Sequence, residues 1–384
     1  MKENKVTTTH EVNEITTILT NAATQLDDDR FMPYDEEGYN KSVELIQALR
    51  VSNKLKSEIR QIKNMSREEI KMLIKLYYQM QDTRKALREQ IRSIEDDESK
   101  KINVKVLDWC LDDFMIIEKG INDILKTVCE QSEVGRWLLQ IVGIGPVLAA
   151  GCLAYFDIEG KEYASQFISY AGLNDNNRKF LGRVGVEKIA NDLGWKDKKT
   201  ITNDDVVEFA AKTQWKYDYL RCNAYDAEKD KWSKTKLIAA ASKIPYNADL
   251  KCLMWKIGKS FNWQCNKDAS LYGRLFSERR VKETINNDKG LYADQAAEIL
   301  ATKNIGKGTE AYKAYSVGKL PKAHINARAL RWVEKLFISH LFEEMYRVHN
   351  KKAPDTKYYP LDKDPMHNKY IGPEVPFTKV PGEE

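Results

Sequence analysis

A chain of 384 residues with 42% hydrophobic and 31% charged side chains has an ordinary globular composition, with apolar content for buried cores in roughly two to three domains. Its formal charge of +5 is too mild to select a partner by itself, so the placement of charge must carry the argument. Six scattered cysteines (Cys110, Cys129, Cys152, Cys222, Cys252, Cys265) without a CxxC pair indicate neither a zinc site nor a disulfide framework, and no run approaches the ~18 apolar residues of a membrane span. The expectation is a cytoplasmic protein with reduced core thiols, no signal peptide and no membrane partner.

Residues 1–38 are polar, turn acidic at Asp27, Asp28 and Asp29, and lack a sustained apolar period, which predicts a flexible arm. From Val43 the residues Val43, Ile46, Leu49, Leu55, Ile59 and Ile62 recur at the three- and four-residue spacings of a helix with one buried stripe. Ser66 and Glu69 form an S-x-x-E capping box that starts a second long helix through about Ile94. Val106, Trp109, Phe114, Ile117, Ile121 and Leu125 repeat the helical period over 102–130. Residues 39–135 thus predict a helical bundle or coiled coil, and helices this long predict a homo-oligomer joined through their stripes. A mixed region of shorter helices follows at about 174–320, then a last strong helix from about Ile325 to Val348. Six of the ten prolines lie beyond it, which predicts an extended tail over 351–384.

The segment with the most chemistry is Leu138 to Leu153, LLQIVGIGPVLAAGCL: an apolar helix end, the turn Val142-Gly143-Ile144-Gly145-Pro146, and a second apolar helix. Two glycines permit a tight turn with positive φ and let backbone N–H groups approach a phosphate closely. Pro146 suits a first helical turn, whose unpaired N–H donors and partial positive charge point at the same anion. Ile144 is expected to plug the hairpin into the core, and Ala149 and Ala150 to let the two helices pack closely. Such a hairpin holds backbone phosphate and reads no base edges.

The stretch VGIGPVLAAGCLAYFDIEGKEYASQFISYAGL resembles the carboxy-terminal domain of the bridge-RNA-guided insertion-sequence transposases, in which an I-P-G-I-G-P hairpin is followed by a helix and then Y-A-G-L. The match covers about residues 138–173, and Ala323 to Leu341 is similar to the helix that closes that domain. The RuvC-like domain of those enzymes has no counterpart here. Their catalytic serine, in an S-G pair after A-G-L, would fall in Asn174 to Gly182, NDNNRKFLG, which contains no serine. The resemblance therefore implies a retained DNA-binding scaffold from which the recombination machinery has been lost or moved. The segments YYQMQDTR, IPYNADLKCLMWKIG, YADQAAEIL and KLPKAHINARA resemble a mobile-element or phage family.

Two windows concentrate positive charge. Between Lys54 and Arg92 eleven Lys or Arg face five acids, beside Tyr77 and Tyr78. Between Lys303 and Arg331 stand Lys303, Lys307, Lys313, Lys319, Lys322, Arg328 and Arg331 against Glu310 alone, interleaved with Tyr312 and Tyr315, so charge for phosphates and rings for bases occur together. His340 and His349 are nine apart, wrong for two ligands on one helix face, and the adjacent pairs Asp112–Asp113 and Asp204–Asp205 diverge on a helix. No nucleophile–base motif or P-loop is present.

The combined expectation is a mainly α protein with a long-helix amino-terminal bundle and a helix-hairpin-helix core over 136–350 that carries a large mixed insertion. Its expected function is non-catalytic binding of DNA, with RNA as the second choice, without cofactor or metal. The binding residues would be Gly143, Ile144 and Gly145 of the hairpin with Lys307, Lys313, Lys319, Lys322, Arg328 and Arg331. Rival readings are a divergent transposase, recombinase or nuclease with acids in the insertion, and a structural protein that self-assembles through its long helices.

Overall fold

The computed structural model describes residues 65–95, 105–174, 181–355 and 371–381. All belong to Ile59–Glu384, one of two compact units of the chain; the other, Met1–Glu58, lies outside the described residues, and with it the predicted arm and the start of the first predicted helix. The fold is mainly α. Helix α1 (Arg67–Glu95) starts at the expected box: Ser66 Oγ accepts from Glu69 N–H at 3.3 Å and Glu69 Oε2 accepts from Ser66 N–H at 2.7 Å. Helix α2 (Lys105–Glu130) packs along α1, and because the chain from Glu95 to Lys105 reaches at most about 36 Å, less than the ~43 Å length of α1, it runs antiparallel to it. Arg84 and Glu118 clasp across this pair at 2.6 Å with both side chains largely buried.

The apolar stripes of these two helices close onto the hairpin. Ile70 and Ile74 of α1 and Ile121 and Leu125 of α2 are buried in the same core as α3 (Glu133–Gln140) and α4 (Pro146–Tyr155), so bundle and hairpin form one body. Val106, Trp109 and Ile117 remain exposed on α2. Helix α4 packs against α1, α2 and α3 and against α10 (Ala248–Trp263). Its Gly151 makes the last contact possible, because a Cβ there would lie 2.6 Å from Leu253 Cδ2. Helix α5 (Ala164–Tyr170) stacks Phe167 on Phe156 at 4.6 Å and closes this side of the core.

The region expected as one mixed insertion divides in three, and its regular elements among the described residues are helices apart from one pair of two-residue strands. Helices α6 (Gly182–Asp192), α7 (Asn203–Thr213), α8 (Tyr217–Ala224) and α9 (Lys234–Ala241) surround a separate core of Trp195, Phe209, Leu220 and Leu237. Strands β1 (Tyr225–Asp226) and β2 (Lys231–Trp232), paired antiparallel with Tyr225 opposite Trp232, form the one sheet among the described residues. By contrast, α10 and α11 (Leu271–Asp288) return to the main core through Met254, Ile257, Phe261, Tyr272 and Phe276. Helices α12 (Ala293–Thr302) and α13 (Glu310–Ser316) lead to a small third cluster of Ala296, Leu320 and Ile325. Helix α14 (Lys322–Asn350) then packs along α5, α10 and α11.

Residues 371–381 carry no helix, as their prolines dictate, but they lie as a strap across the core and not as a free arm. Ile371 O accepts from His340 Nε2 at 2.8 Å, which leaves His340 Nδ1 to accept from the Tyr272 hydroxyl at 2.8 Å. Burial holds the His340 imidazole down to about 4, so it is neutral in this network. Val375 O accepts from Trp137 Nε1 at 3.0 Å, Phe377 stacks on the Trp137 ring, and Thr378 donates through N and Oγ1 to Glu344.

Candidate nucleic-acid interface

The turn between α3 and α4 uses its glycines unequally. Gly143 has φ +98°, a conformation that favours glycine, and a Cβ there would crowd Ser260 Oγ at 3.0 Å and Gln264 Cγ at 3.2 Å. Gly145 has φ −85° and ψ 174°, an extended N-cap that any residue adopts, with nothing within 4 Å of a Cβ. Only the first glycine therefore fits the positive-φ reasoning. Ile144 is 4% exposed and plugs the turn into the core as its position between the glycines suggested. Two distant groups fix the loop: Ser260 Oγ donates to Gly143 O at 2.6 Å, and Glu374 accepts from Val142 N–H at 2.6 Å and from Leu271 N–H at 2.7 Å. The N–H groups of Gly145, Val147 and Leu148 have no acceptor among the described residues, as expected at a helix start without a capping side chain.

This start opens into a groove of about 740 Å³ between α1 and α10. Tyr77, Tyr78 and Lys85 form the α1 wall; Trp255, Lys256, Lys259 and Trp263 form the α10 wall. Three lysines line it and no acid does. Trp255 is 54% exposed and Trp263 77%, unusual exposure for such large rings. The Lys256 ammonium sits 3.2 Å over the Tyr78 ring and Lys259 lies 5.5 Å from the Trp255 ring centre. Burial lowers the affinity of Lys256 for its proton and pushes the Tyr78 phenol up. Beyond Tyr78 and Lys256 a second cavity of about 370 Å³ continues past Tyr155, but there Asp82 and Asp249 balance the cations. The positive end of the cleft is thus the end at the hairpin. These groups can hold an anion and offer ring faces; among the described residues no cluster of three His, Cys, Asp or Glu is placed to hold a metal ion.

None of the expected cations from the Lys303–Arg331 window lines this groove. Arg328 donates to the buried Glu283 at 2.6 Å and lies 4.3 Å over the Tyr292 ring, which makes it a core ion-pair partner. Lys319 pairs with Asp288 at 2.8 Å and Lys313 with Glu310 at 3.3 Å. Lys307 and Lys322 are exposed, and Arg331, half-buried, is near enough to Glu334 to favour its ionised form. The basic window on α1 contributes Lys85 to the groove, where it donates to Gln81 at 2.8 Å and lies 4.0 Å from Asp82; Arg84 is spent on Glu118 and Lys75 on Asp249. Asp205 caps α7 together with Thr202 and pairs with Lys198, so it has structural work.

The residues that sequence reasoning missed are Trp255, Lys256, Lys259 and Trp263. Their signal is a four-residue repeat, Trp255–Lys259–Trp263, on a helix whose Leu253, Met254, Ile257 and Phe261 already supply a complete buried stripe. Among the described residues no helix is long and apolar enough to cross a membrane. No family model, no curated protein and no solved structure matches the chain.

Proposed function

We propose that this protein binds nucleic acid without catalysing a reaction on it, gripping the phosphate backbone at the start of α4, with DNA as the first ligand to test. The observation that supports this reading is the groove itself: three lysines, no acid and two exposed tryptophans converge on a helix start whose N–H groups have no acceptor among the described residues. The likeness of residues 138–173 to the transposase hairpin domain points the same way and suggests a mobile-element or phage setting.

Gly145 supplies a clean test because a side chain fits there. Gly145→Glu places a carboxylate where phosphate would bind and should lower DNA affinity by about 100-fold, whereas Gly145→Ala should bind nearly as the parent does. Thermal melting followed by circular dichroism should be the same for both. Unchanged affinity in a folded Gly145→Glu protein would remove the groove from consideration.

A further inference from the structure

We infer that the ligand of this groove is an unpaired strand, with bases stacked on Trp255 and Trp263 and phosphate held between them by Lys259. The inference rests on the nucleic-acid reading above and adds the form of the ligand.

Trp255, Lys259 and Trp263 follow one another at four-residue intervals on α10, so they share one helix face, and the two rings are set about 12 Å apart along the axis. Both rings are more than half exposed, and both line the cavity that contains the α4 start. Exposed ring faces of this size recognise other ring faces, and every nucleobase has one. In a duplex those faces are covered by neighbours only about 3.4 Å away along each strand, so neither tryptophan can reach one without unstacking the helix. An unpaired strand presents its base faces freely. Its charge also fits: Lys259 lies midway between the rings, Lys256 and Lys85 stand on the two walls, and no lining carboxylate opposes a polyanion.

The arrangement divides the work between two elements. The α4 start and the lysines hold backbone, which is common to all sequences, and the tryptophans hold bases by their faces, which discriminates paired from unpaired strands and barely discriminates among bases. DNA and RNA share this chemistry, so the sugar is left for experiment.

The test measures fluorescence anisotropy of labelled oligodeoxythymidine and oligouridine of about 16 nucleotides, the upper end of a usual site, and of a duplex of the same length. Proteins carrying Trp255→Ala, Trp263→Ala, Trp255→Phe and Trp263→Phe are compared with the parent, with circular dichroism confirming the fold. The parent should bind the unpaired strand more tightly than the duplex. Each alanine should weaken the unpaired complex about 5- to 150-fold while changing duplex binding by less than about twofold. Phenylalanine should retain most of the affinity, and the tighter of the thymidine and uridine complexes identifies the natural sugar. Equal binding of both forms, or alanine variants that bind the unpaired strand as the parent does, overturns the proposal. If Gly145→Glu still abolishes binding in that case, the nucleic-acid reading stands and this inference alone falls; if the parent binds neither form, both fall.

Discussion

The two basic regions of this protein differ in what their cations face. The Lys303–Arg331 window is dense in cations, yet Arg328 turns inward to the buried Glu283, while Lys319 and Lys313 are occupied in surface pairs with Asp288 and Glu310. The groove at α4 has three lysines drawn from two helices far apart in sequence, and none of its lining residues is acidic. Local excess charge therefore measures what a segment contains, while availability depends on what the fold sets opposite each cation.

The largest effect is expected at Glu334, a carboxyl that nearby cations fail to hold ionised. Burial raises this group from 4.5 to about 8, against the pull of Arg331 and Lys251. The folded protein thus keeps a proton that the unfolded chain releases, so the stability tied to this group is full below pH 4.5 and is lost as pH rises towards 8. Glu334→Gln removes the titration, and its stability relative to the parent should grow over that window by about 4 kcal/mol, read as urea midpoints near both ends. A constant difference across the window would show that Glu334 is ionised when folded.

Arg328→Ala comes next. It leaves Glu283, 1% exposed, with Arg279 and Tyr292 but without its second guanidinium, and should cost about 3 kcal/mol of stability by denaturant unfolding. Loss of DNA affinity at unchanged stability would return Arg328 to the binding surface. The smallest contrast compares two sets of lysines by salt titration. Neutralising Lys85, Lys256 and Lys259 to glutamine should reduce the slope of log affinity against log salt by about 2 to 3, whereas neutralising Lys307 and Lys322 should change it by less than about 1. The reverse order would exchange the roles assigned to the two regions.

Local features were legible in the sequence and distant ones were not. The capping box at Ser66–Glu69, the buried Ile144 and the Pro146 helix start all follow from neighbours within a few residues. The mainly helical class follows from periodicity over longer windows. The groove needed α10 to be laid beside α4, and that placement depends on Gly151 admitting Leu253 from about a hundred residues away. Arg328 looked available because its partner Glu283 lies 45 residues earlier, on another helix. The docking of residues 371–381 was equally hidden: proline forbids a helix there, but says nothing about where the extended segment lies.

That docking also orders events in time. The carboxylate of Glu374 joins the Val142 amide across 232 residues. At synthesis rates of about 5–20 residues per second, roughly 12 to 46 s pass between the ribosome adding the turn and adding the group that secures it. Throughout that interval the turn lacks the Glu374 acceptor and Trp137 lacks the carbonyl of Val375. A nascent chain can collapse around α1 to α4 early, but the brace from Glu374 is made 232 residues after the turn, so a translation product truncated before Glu374 carries the motif without that brace.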